Sequence, residues 1–242
     1  GGFGSSSAAN GHGFSRVGNE IPAVACLFAG QGSQYVGMAK TLYATQPAFA
    51  AALDRCAMAL APHLDRPLLA LLWGDESAHL NNTRYTQPAL FAIEYSLIQL
   101  WDDWGLNPQW LVGHSVGEYA LACFAGVFSL QDASKLICAR GFLMTQLCEP
   151  GAMLALFTDA AQVQSLVASD LQKLSIAAHN GADSWVISGF SEAIEQVQTV
   201  CRAQGIRCQR LTVSHAFHSV MMQPILQAFG SYTNVGKIAE PR

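Results

Sequence analysis

The sequence has little charge, no basic cluster and no long apolar run, and each of these absences excludes a class of function. Only 12% of its 242 residues are charged and 51% are apolar, so the chain can bury a large core. The net charge of −4 and the lack of a basic run argue against a nucleic-acid partner. His114 and Glu118 interrupt the longest apolar region, which is too short for a transmembrane helix. Because no secretory signal is present either, we expect a cytoplasmic protein without a membrane partner.

Paired cysteines are also lacking. The seven cysteines are scattered singly, their number is odd, and no Cys-x-x-Cys pair or Cys/His spacing of a metal site occurs. We therefore expect free thiols, mostly buried, and no bound metal. The cysteines are Cys26, Cys56, Cys123, Cys138, Cys148, Cys201 and Cys208.

The order of apolar runs and turn residues predicts an α/β fold with two subdomains. Residues 1–19 are rich in glycine and serine, which predicts a disordered leader or linker. We predict a large α/β subdomain with a parallel sheet over residues 20–148 and 214–242, which the nucleophile-elbow pattern Gly-His-Ser-Val-Gly at 113–117 makes α/β-hydrolase-like. Residues 149–213 follow the order β-α-β-β-α-β, which predicts a small inserted ferredoxin-like subdomain. A cleft between the two would be the natural ligand site.

Individual elements follow from periodicity and from capping and breaking residues. The fully apolar strand at residues 23–28 is typical of a parallel sheet covered on both faces. Pro88 fits the first turn of a helix that ends near Trp104. Other helices are predicted at 35–44, 47–60, 68–73, 118–125, from a cap at 129–132 to about 147, 159–169, 191–204 and 221–229. Strands are predicted before Gly113 and at 152–158, 175–178, 185–188 and 207–213.

The rest of the chain is organised around Gly113-His114-Ser115-Val116-Gly117, which has the G-x-S-x-G form of a nucleophile elbow. An apolar run precedes this turn and a helix-compatible stretch follows it, as an elbow requires. The turn is so tight that only glycine fits two residues on either side of the serine. The Val116 N–H, at the helix N-terminus, would face an oxyanion formed at Ser115. The pattern also arises by chance in a glycine-rich chain, but this context favours a nucleophilic serine.

A second glycine-rich turn, at residues 30–34, follows the first strand and precedes a helix. No lysine follows at the spacing of a phosphate-binding loop, and the glycine pattern does not match a dinucleotide site. Two interpretations remain. The turn is either an ordinary strand–helix connection or a loop in which Gln31 or its backbone shapes the floor of an active site.

One arginine falls on an apolar stripe. Arg140 lies among Leu136, Ile137, Leu143 and Met144 at helical spacing. An uncompensated buried guanidinium costs several kcal/mol, so it needs an anion. An internal Asp or Glu and a substrate carboxylate are equally compatible with this pattern.

A serine nucleophile needs a general base, for which histidine is the usual residue at neutral pH. His215 and His218 bracket the hinge through which the chain returns to the large subdomain. The hinge position favours His218. His114 is a weaker candidate because it is adjacent to Ser115 and is expected to point to the other face of the strand.

Taken together, five stretches resemble the acyltransferase domain of modular polyketide synthases and the related malonyl-CoA:acyl carrier protein transacylases of fatty acid synthesis. The elbow alone is not specific, but five matches in the right order are, and they span residues 23 to about 230. The stretches are FAGQGSQ at 28–34, YTQPALF at 85–91, GHSVGE at 113–118, Arg140, and HAFHS at 215–219.

The resemblance implies roles at the matching positions. Ser115 would be acylated by an acyl-CoA thioester, with His218 as general base. The N–H groups of Val116 and Gln31 would form the oxyanion hole. Arg140 would bind the free carboxylate of a dicarboxylic acyl group, which decides between its two interpretations. The acyl group would then pass to the phosphopantetheine thiol of an acyl carrier protein, with no bound metal or cofactor.

The resemblance also predicts the acyl group. His-Ala-Phe-His is the pattern associated with malonyl selection, whereas methylmalonyl-selective relatives tend to carry Tyr-Ala-Ser-His. A phenyl ring at Phe217 would leave little room for an α-methyl branch, although it could also serve only to pack the hinge. We therefore predict malonyl-CoA as donor, with Phe217, His215 and His114 as substrate-binding residues beside Arg140.

The sequence departs from the family pattern at its C-terminal end. In the family the large subdomain continues several dozen residues beyond the histidine helix, and a strand with an Asn-Val pair orients the histidine through a backbone carbonyl. Asn234-Val235 follows His218 too closely for this. We therefore expect a shortened C-terminal part, which leaves the orienting partner of His218 unassigned.

Two other functions remain as alternatives. A serine thioesterase or hydrolase would give the acyl group to water, but Arg140 and the Gln31 turn would then have no role. A catalytically silent docking module would bind a carrier protein or other synthase domains, yet Ser115, His218 and Arg140 are all present. The expected partners are malonyl-CoA, an acyl carrier protein and other polyketide synthase domains.

Overall fold

The computed structural model describes residues 23–233 and 239–241, which form an α/β fold with two separate sheets. The predicted leader at 1–19 and the Asn234-Val235 pair lie outside these ranges. The strands are β1 (Ala25–Phe28), β2 (Trp110–Gly113), β3 (Ala152–Phe157), β4 (Leu174–Gly181), β5 (Ser184–Gly189) and β6 (Arg207–Arg210). The helices are α1 (Lys40–Thr45), α2 (Pro47–Leu60), α3 (Leu68–Trp73), α4 (Thr83–Asp103), α5 (Gly117–Phe124), α6 (Leu130–Leu147), α7 (Ala160–Ala168), α8 (Ser191–Gln204) and α9 (Gln223–Gly230).

β1 and β2 form the parallel sheet that the sequence predicted, with Phe28 opposite Gly113. Phe28 is buried in the core that α2, α4, α5 and α6 build. Side chains alternate between the faces of a strand, so Leu27, Trp110 and Val112 share the opposite face. That face is open, with exposed fractions of 80%, 59% and 54%. The prediction that β1 is covered on both faces is therefore wrong for the described residues, because the helices pack on one face only.

α4 is the long central helix, and its start differs from the prediction. The Asn82 side chain caps the helix by accepting the N–H of Arg84, so that Pro88 lies inside the helix instead of in its first turn. The backbone of α6 approaches this first turn closely. A Cβ at Gly141 would lie 3.0 Å from the carbonyl oxygen of Thr83. The small residue thus lets α6 bring its side chains against the beginning of α4.

Three other boundaries were also wrong, one of them the end of β4, which lies at Gly181 and not at residue 178. The helix predicted at residues 35–44 begins only at Lys40, after turns in which the N–H of Gly37 donates to the carbonyl of Leu72. β6 ends at Arg210 and not at residue 213. The residues that follow include Leu211 and Val213, which line a cleft beside the sheet.

The second sheet has four antiparallel strands in the order β4-β5-β3-β6. With α7 and α8 its elements follow the predicted β-α-β-β-α-β sequence, and the strand order is that of a ferredoxin-like arrangement. It has its own core, which includes Leu154, Ile187 and Ile194. The subdomain boundaries at residues 149 and 213 stay a prediction.

The chain crosses between the two sheets at two adjacent places. Pro150 on the way in and His215 on the way out form an antiparallel bridge. Gly151 is needed at this crossing because a Cβ there would lie 2.6 Å from the Cβ of Ala216. A third apolar cluster, which includes Met144, Met153 and Phe217, joins the two cores. The crossing therefore fixes how residues 214–218 approach the elbow.

Three composition-based expectations can be compared with the described residues. All seven cysteines lie within them and carry free thiols, five buried and two partly buried. In residues 23–233 and 239–241 no helix has the length and hydropathy that a membrane crossing needs. Within the same ranges no three metal-binding side chains come together.

Candidate active site

Ser115 sits on a strained turn between β2 and α5. Its φ of 55° lies in the left-handed region, which is costly for a residue other than glycine and is the conformation expected of a nucleophile elbow. A Cβ at Gly113 would lie 2.7 Å from the Cα of Glu118, and one at Gly117 would lie 2.6 Å from the carbonyl oxygen of Phe28. Both glycines are therefore required, because larger side chains would open the turn.

His218 reaches Ser115 from the hinge. Its Nε2 lies 2.9 Å from the Ser115 Oγ, which is the distance of a nucleophile–base hydrogen bond. His218 also has a left-handed backbone, with φ 59°. Although His218 is partly exposed to solvent, burial by the surrounding protein and the charge of Arg140 lower the pKa of His218. The imidazole is thus neutral at neutral pH and able to accept the serine proton.

Arg140 extends from α6 to the same serine. One guanidinium nitrogen donates to Ser115 Oγ at 3.2 Å, and the other donates to the Oε1 of Gln87 at 2.7 Å. Burial lowers the pKa of Arg140, and the nearby Tyr119 and Glu118 partly restore it. Within the described residues no carboxylate forms an ion pair with Arg140. The guanidinium is held beside the nucleophile by a neutral amide, so its charge is available to an anion in the cleft.

Gln31 and Val116 lie at the floor of the cleft beside Ser115. Val116 caps the start of α5, where the first backbone N–H groups have no partner within the helix. Gln31 follows Gly30, at which a Cβ would lie 2.6 Å from the Nδ1 of His114. The glycine therefore lets the Gln31 turn approach the elbow. His114 is also among the residues that line the cleft.

The cleft has a volume of about 160 Å³ and lies between the elbow and the four-stranded sheet. Phe217 lines it, whereas the buried His215 is not among the lining residues. The opposite wall is almost entirely apolar and comes from β3, β4, β5 and the segment after β6. It consists of Met153, Ala177, Ala178, Val186, Leu211 and Val213. Asn180 is the polar exception on that wall.

Two contributions to this site were missed in the sequence, although Gln87 belongs to one of the stretches that carry the family resemblance. Gln87, the partner of Arg140, is a fully buried amide in α4. A glutamine among apolar residues was the available signal, because a buried amide needs hydrogen-bond partners. The apolar wall of the small sheet gave no signal of its own, since its residues are the ordinary alternating residues of strands.

Comparison with known proteins shows what this arrangement resembles. A family model for the acyl transferase domain matches residues 26–242. A spectinabilin polyketide synthase system protein, NorB, of Streptomyces orinoci is 46% identical over 224 residues, which is 91% of this chain and 10% of that protein. The acyltransferase domain from the second module of the salinomycin polyketide synthase superposes with a TM-score of 0.86 at 40% identity. The alignment covers 92% of this chain and 52% of that structure.

The structure of a transacylase has the same fold. The malonyl CoA-acyl carrier protein transacylase of Clostridium perfringens gives a TM-score of 0.82 at 29% identity, over 91% of this chain and 70% of that structure. The chain thus spans about a tenth of the length of NorB and about half of the salinomycin synthase structure.

Proposed function

Because the chain belongs to the acyl transferase domain family, as do polyketide synthase modules, we propose that it moves a malonyl group from malonyl-CoA to an acyl carrier protein. The group would travel as an ester on Ser115 and end on the phosphopantetheine thiol of the carrier. The supporting observation is the convergence of His218 and Arg140 on one hydroxyl, at 2.9 and 3.2 Å. A base and a fixed cation at the same nucleophile suit an acyl group that carries its own carboxylate.

In the first half-reaction, Ser115 attacks the thioester carbonyl while His218 Nε2 takes the hydroxyl proton. The negative charge then develops on the former carbonyl oxygen, which the N–H groups of Val116 and Gln31 would stabilise. As the tetrahedral intermediate collapses, the C–S bond breaks and His218 returns its proton to the CoA sulfur. The products are free CoA and the malonyl ester of Ser115.

The second half-reaction uses the same groups in reverse. The carrier thiol gives its proton to His218 and attacks the ester carbonyl. Collapse breaks the bond to Ser115 Oγ, which regains a proton from the histidine. Arg140 holds the distal carboxylate in both halves and thereby keeps the acyl carbonyl at the same point. The two-step exchange needs no metal or redox cofactor.

Phe217 supports malonyl over methylmalonyl as the acyl group. Its side chain lines the cleft and is packed into the apolar cluster at the hinge, so that the ring has little freedom to move away. A wall that cannot move rejects an added methyl group by overpacking. Competition between the two CoA esters for Ser115, measured by intact mass, tests this. Equal loading by the unmodified protein would contradict it, and Phe217→Ser should relax the preference.

The central experiment follows the acyl group itself. Incubation with malonyl-CoA should add one malonyl group to Ser115, and a carrier protein with its phosphopantetheine arm should then remove it and gain the same mass. A thioesterase, the second candidate, would release malonate to water at the same rate with and without carrier. A silent docking module would show no adduct. Either of the last two outcomes would contradict acyl transfer.

A further inference from the structure

We propose that Thr83, Ser214 and His215 form a hydrogen-bonded chain that positions Gln31, so that the oxyanion loop is fixed to the hinge of the cleft. The inference rests on the proposed function, in which the N–H of Gln31 stabilises the oxyanion. It gives His215 a role as a positioning residue behind the cleft wall, in place of a contact with the acyl group.

Three contacts make the chain. The Nε2 of Gln31 donates to Thr83 Oγ1 at 3.1 Å, and Thr83 Oγ1 lies 3.3 Å from Ser214 Oγ. Ser214 Oγ in turn lies 2.8 Å from the Nδ1 of His215. These contacts join three segments that are distant in sequence. They are the loop after β1, the first residue of α4 and the hinge after β6.

The hydrogen bonds of this chain all run in one direction, from donor to acceptor, from Gln31 to His215. Gln31 can only donate through its Nε2, so the Thr83 hydroxyl accepts that bond and donates onward to Ser214. The Ser214 hydroxyl then donates to the Nδ1 of His215, which requires the imidazole to be neutral there. Burial lowers the pKa of His215 and favours that neutral form, although a hydrogen bond to the Cys148 backbone opposes the shift. Every hydroxyl in the chain thus both accepts and donates one hydrogen bond.

The Gln31 side chain depends on this single anchor. Its Oε1 is buried without a hydrogen-bond partner in the described residues, so the bond to Thr83 is what sets the orientation of the amide. Thr83 is only 1% exposed, which means that water does not readily replace its hydroxyl. Gln31 is also the residue whose backbone N–H would face the oxyanion. Loss of the anchor should therefore loosen the loop at the point where charge develops.

The hinge end is equally well fixed. His215 is buried and pairs across the crossing with Pro150, while the N–H of Gly151 donates to the Ser214 carbonyl. His218 follows three residues later on the same segment. The hydrogen-bonded chain therefore connects the oxyanion loop to the hinge segment that also carries His218, which should keep the distance between the two constant.

Removal of the middle of the chain tests the proposal. Thr83→Val and Ser214→Ala should each lower kcat for acylation of Ser115 about three- to tenfold, the effect of one hydrogen bond, while KM changes less than about twofold. The double variant should be no slower than the slower single variant, because both substitutions break the same chain. Thr83→Ser and Ser214→Thr keep a hydroxyl and should restore most of the rate.

Ser96→Ala is the matched control. Ser96 is a fully buried serine of α4 whose hydroxyl donates to the Ala92 carbonyl within the helix, with no path to Gln31. The Ser96→Ala variant should be less stable than the wild-type protein but have the same kcat. If Thr83→Val does not fold, the more exposed Ser214→Ala still removes a link. Wild-type kcat in the single variants, or additive losses in the double variant, would overturn the proposal.

A second measurement does not depend on turnover. The ¹⁵N shift of the His215 Nδ1 should change in Thr83→Val, although Thr83 does not contact the ring, because the intervening Ser214 hydroxyl loses its partner. An unchanged ¹⁵N chemical shift would overturn the proposed hydrogen-bonded chain, whatever the kcat of the variant. Failure of the wild-type protein to form any ester on Ser115 would instead overturn the proposed function, while the shift would still report on the chain.

Discussion

The two walls of the cleft differ in almost every physical respect. The elbow wall is polar and strained, with Ser115 and His218 in left-handed conformations and the Arg140 guanidinium beside them. The small-sheet wall is apolar, regular in backbone apart from irregular pairing in β4, and carries no titratable residue at the cleft. Under the proposed function, the first wall would perform the chemistry and the second would set the shape of the acyl group that fits. Changes on the first wall should therefore act on rate, and changes on the second on choice of acyl group.

The strongest test of the elbow wall is Ser115→Ala. It should abolish the acyl-enzyme and lower transfer by several orders of magnitude, since loss of a comparable serine nucleophile costs about 10⁶-fold. Intact-mass spectrometry after incubation with malonyl-CoA would detect the adduct. Ser169→Ala, which removes an exposed hydroxyl at the end of α7, is the control and should load normally. An adduct on the Ser115 variant would remove this residue from the chemistry.

Arg140→Ala should have the next largest effect, and, like Phe217→Ser, it is expected to alter selectivity although Arg140 lies outside the small-sheet wall. Loss of the contact to the acyl carboxylate should cost on the order of 2–4 kcal/mol of preference for malonyl over acetyl. The ratio of kcat/KM for the two CoA esters measures it. Arg210→Ala removes an exposed arginine of the small sheet as a control. An unchanged ratio would mean that Arg140 serves only to hold Gln87 and Ser115.

On the small-sheet wall, Val186→Ala should change the preference between acyl groups and leave the kcat for malonyl nearly unchanged. Val186 lines the cleft, and loss of its methyl groups should raise methylmalonyl loading relative to malonyl about tenfold, within the range for one methylene. The kcat for malonyl should stay within about twofold. Ile187→Val is the matched control, because Ile187 is the next residue of β5 and faces the opposite core. A large fall in malonyl kcat would break the division between the walls.

The smallest expected effect is a shift in pH dependence. Burial and the charges of Arg140 and His114 lower the pKa of His218, so the neutral base persists to lower pH and acylation falls only below the usual histidine range. Arg140→Gln removes one of these charges, which should raise the pKa and move the acidic limb to higher pH. Acetyl-CoA is the donor of choice because it has no carboxylate for Arg140 to bind. If the acidic side of the pH–rate profile does not move, Arg140 does not affect the pKa of His218.

Sequence reasoning succeeded where the constraint is local. The elbow was predictable because Gly113 and Gly117 are both required by clashes within a few residues of Ser115 and with the adjacent strand. The β-α-β-β-α-β order was predictable because each element shows its own periodicity. The start of α4 was predicted too late in the chain, because the prediction relied on Pro88 as a first-turn residue. The residue that caps the helix is Asn82, six residues earlier.

The remaining features depend on contacts between distant segments. Gln87 and Arg140 are 53 residues apart, and the sequence around neither residue indicates that the other is its hydrogen-bond partner. His215 was expected to contact substrate beside Phe217; Phe217 lines the cleft, and His215 is buried beside it. The substrate contact predicted for His215 stays a prediction, and the structure shows a hydrogen bond to Ser214 at that position.

The bridge between Pro150 and His215 bears on protein engineering. Since the polypeptide enters and leaves the four-stranded sheet side by side, this unit has neighbouring ends, which is the arrangement that tolerates domain grafting. A homologous sheet could be transplanted between these two junctions without redesign of the elbow. Chimeras made in this way would exchange the apolar wall as a single cassette, and libraries of acyl specificity could be assembled from whole sheets instead of point substitutions.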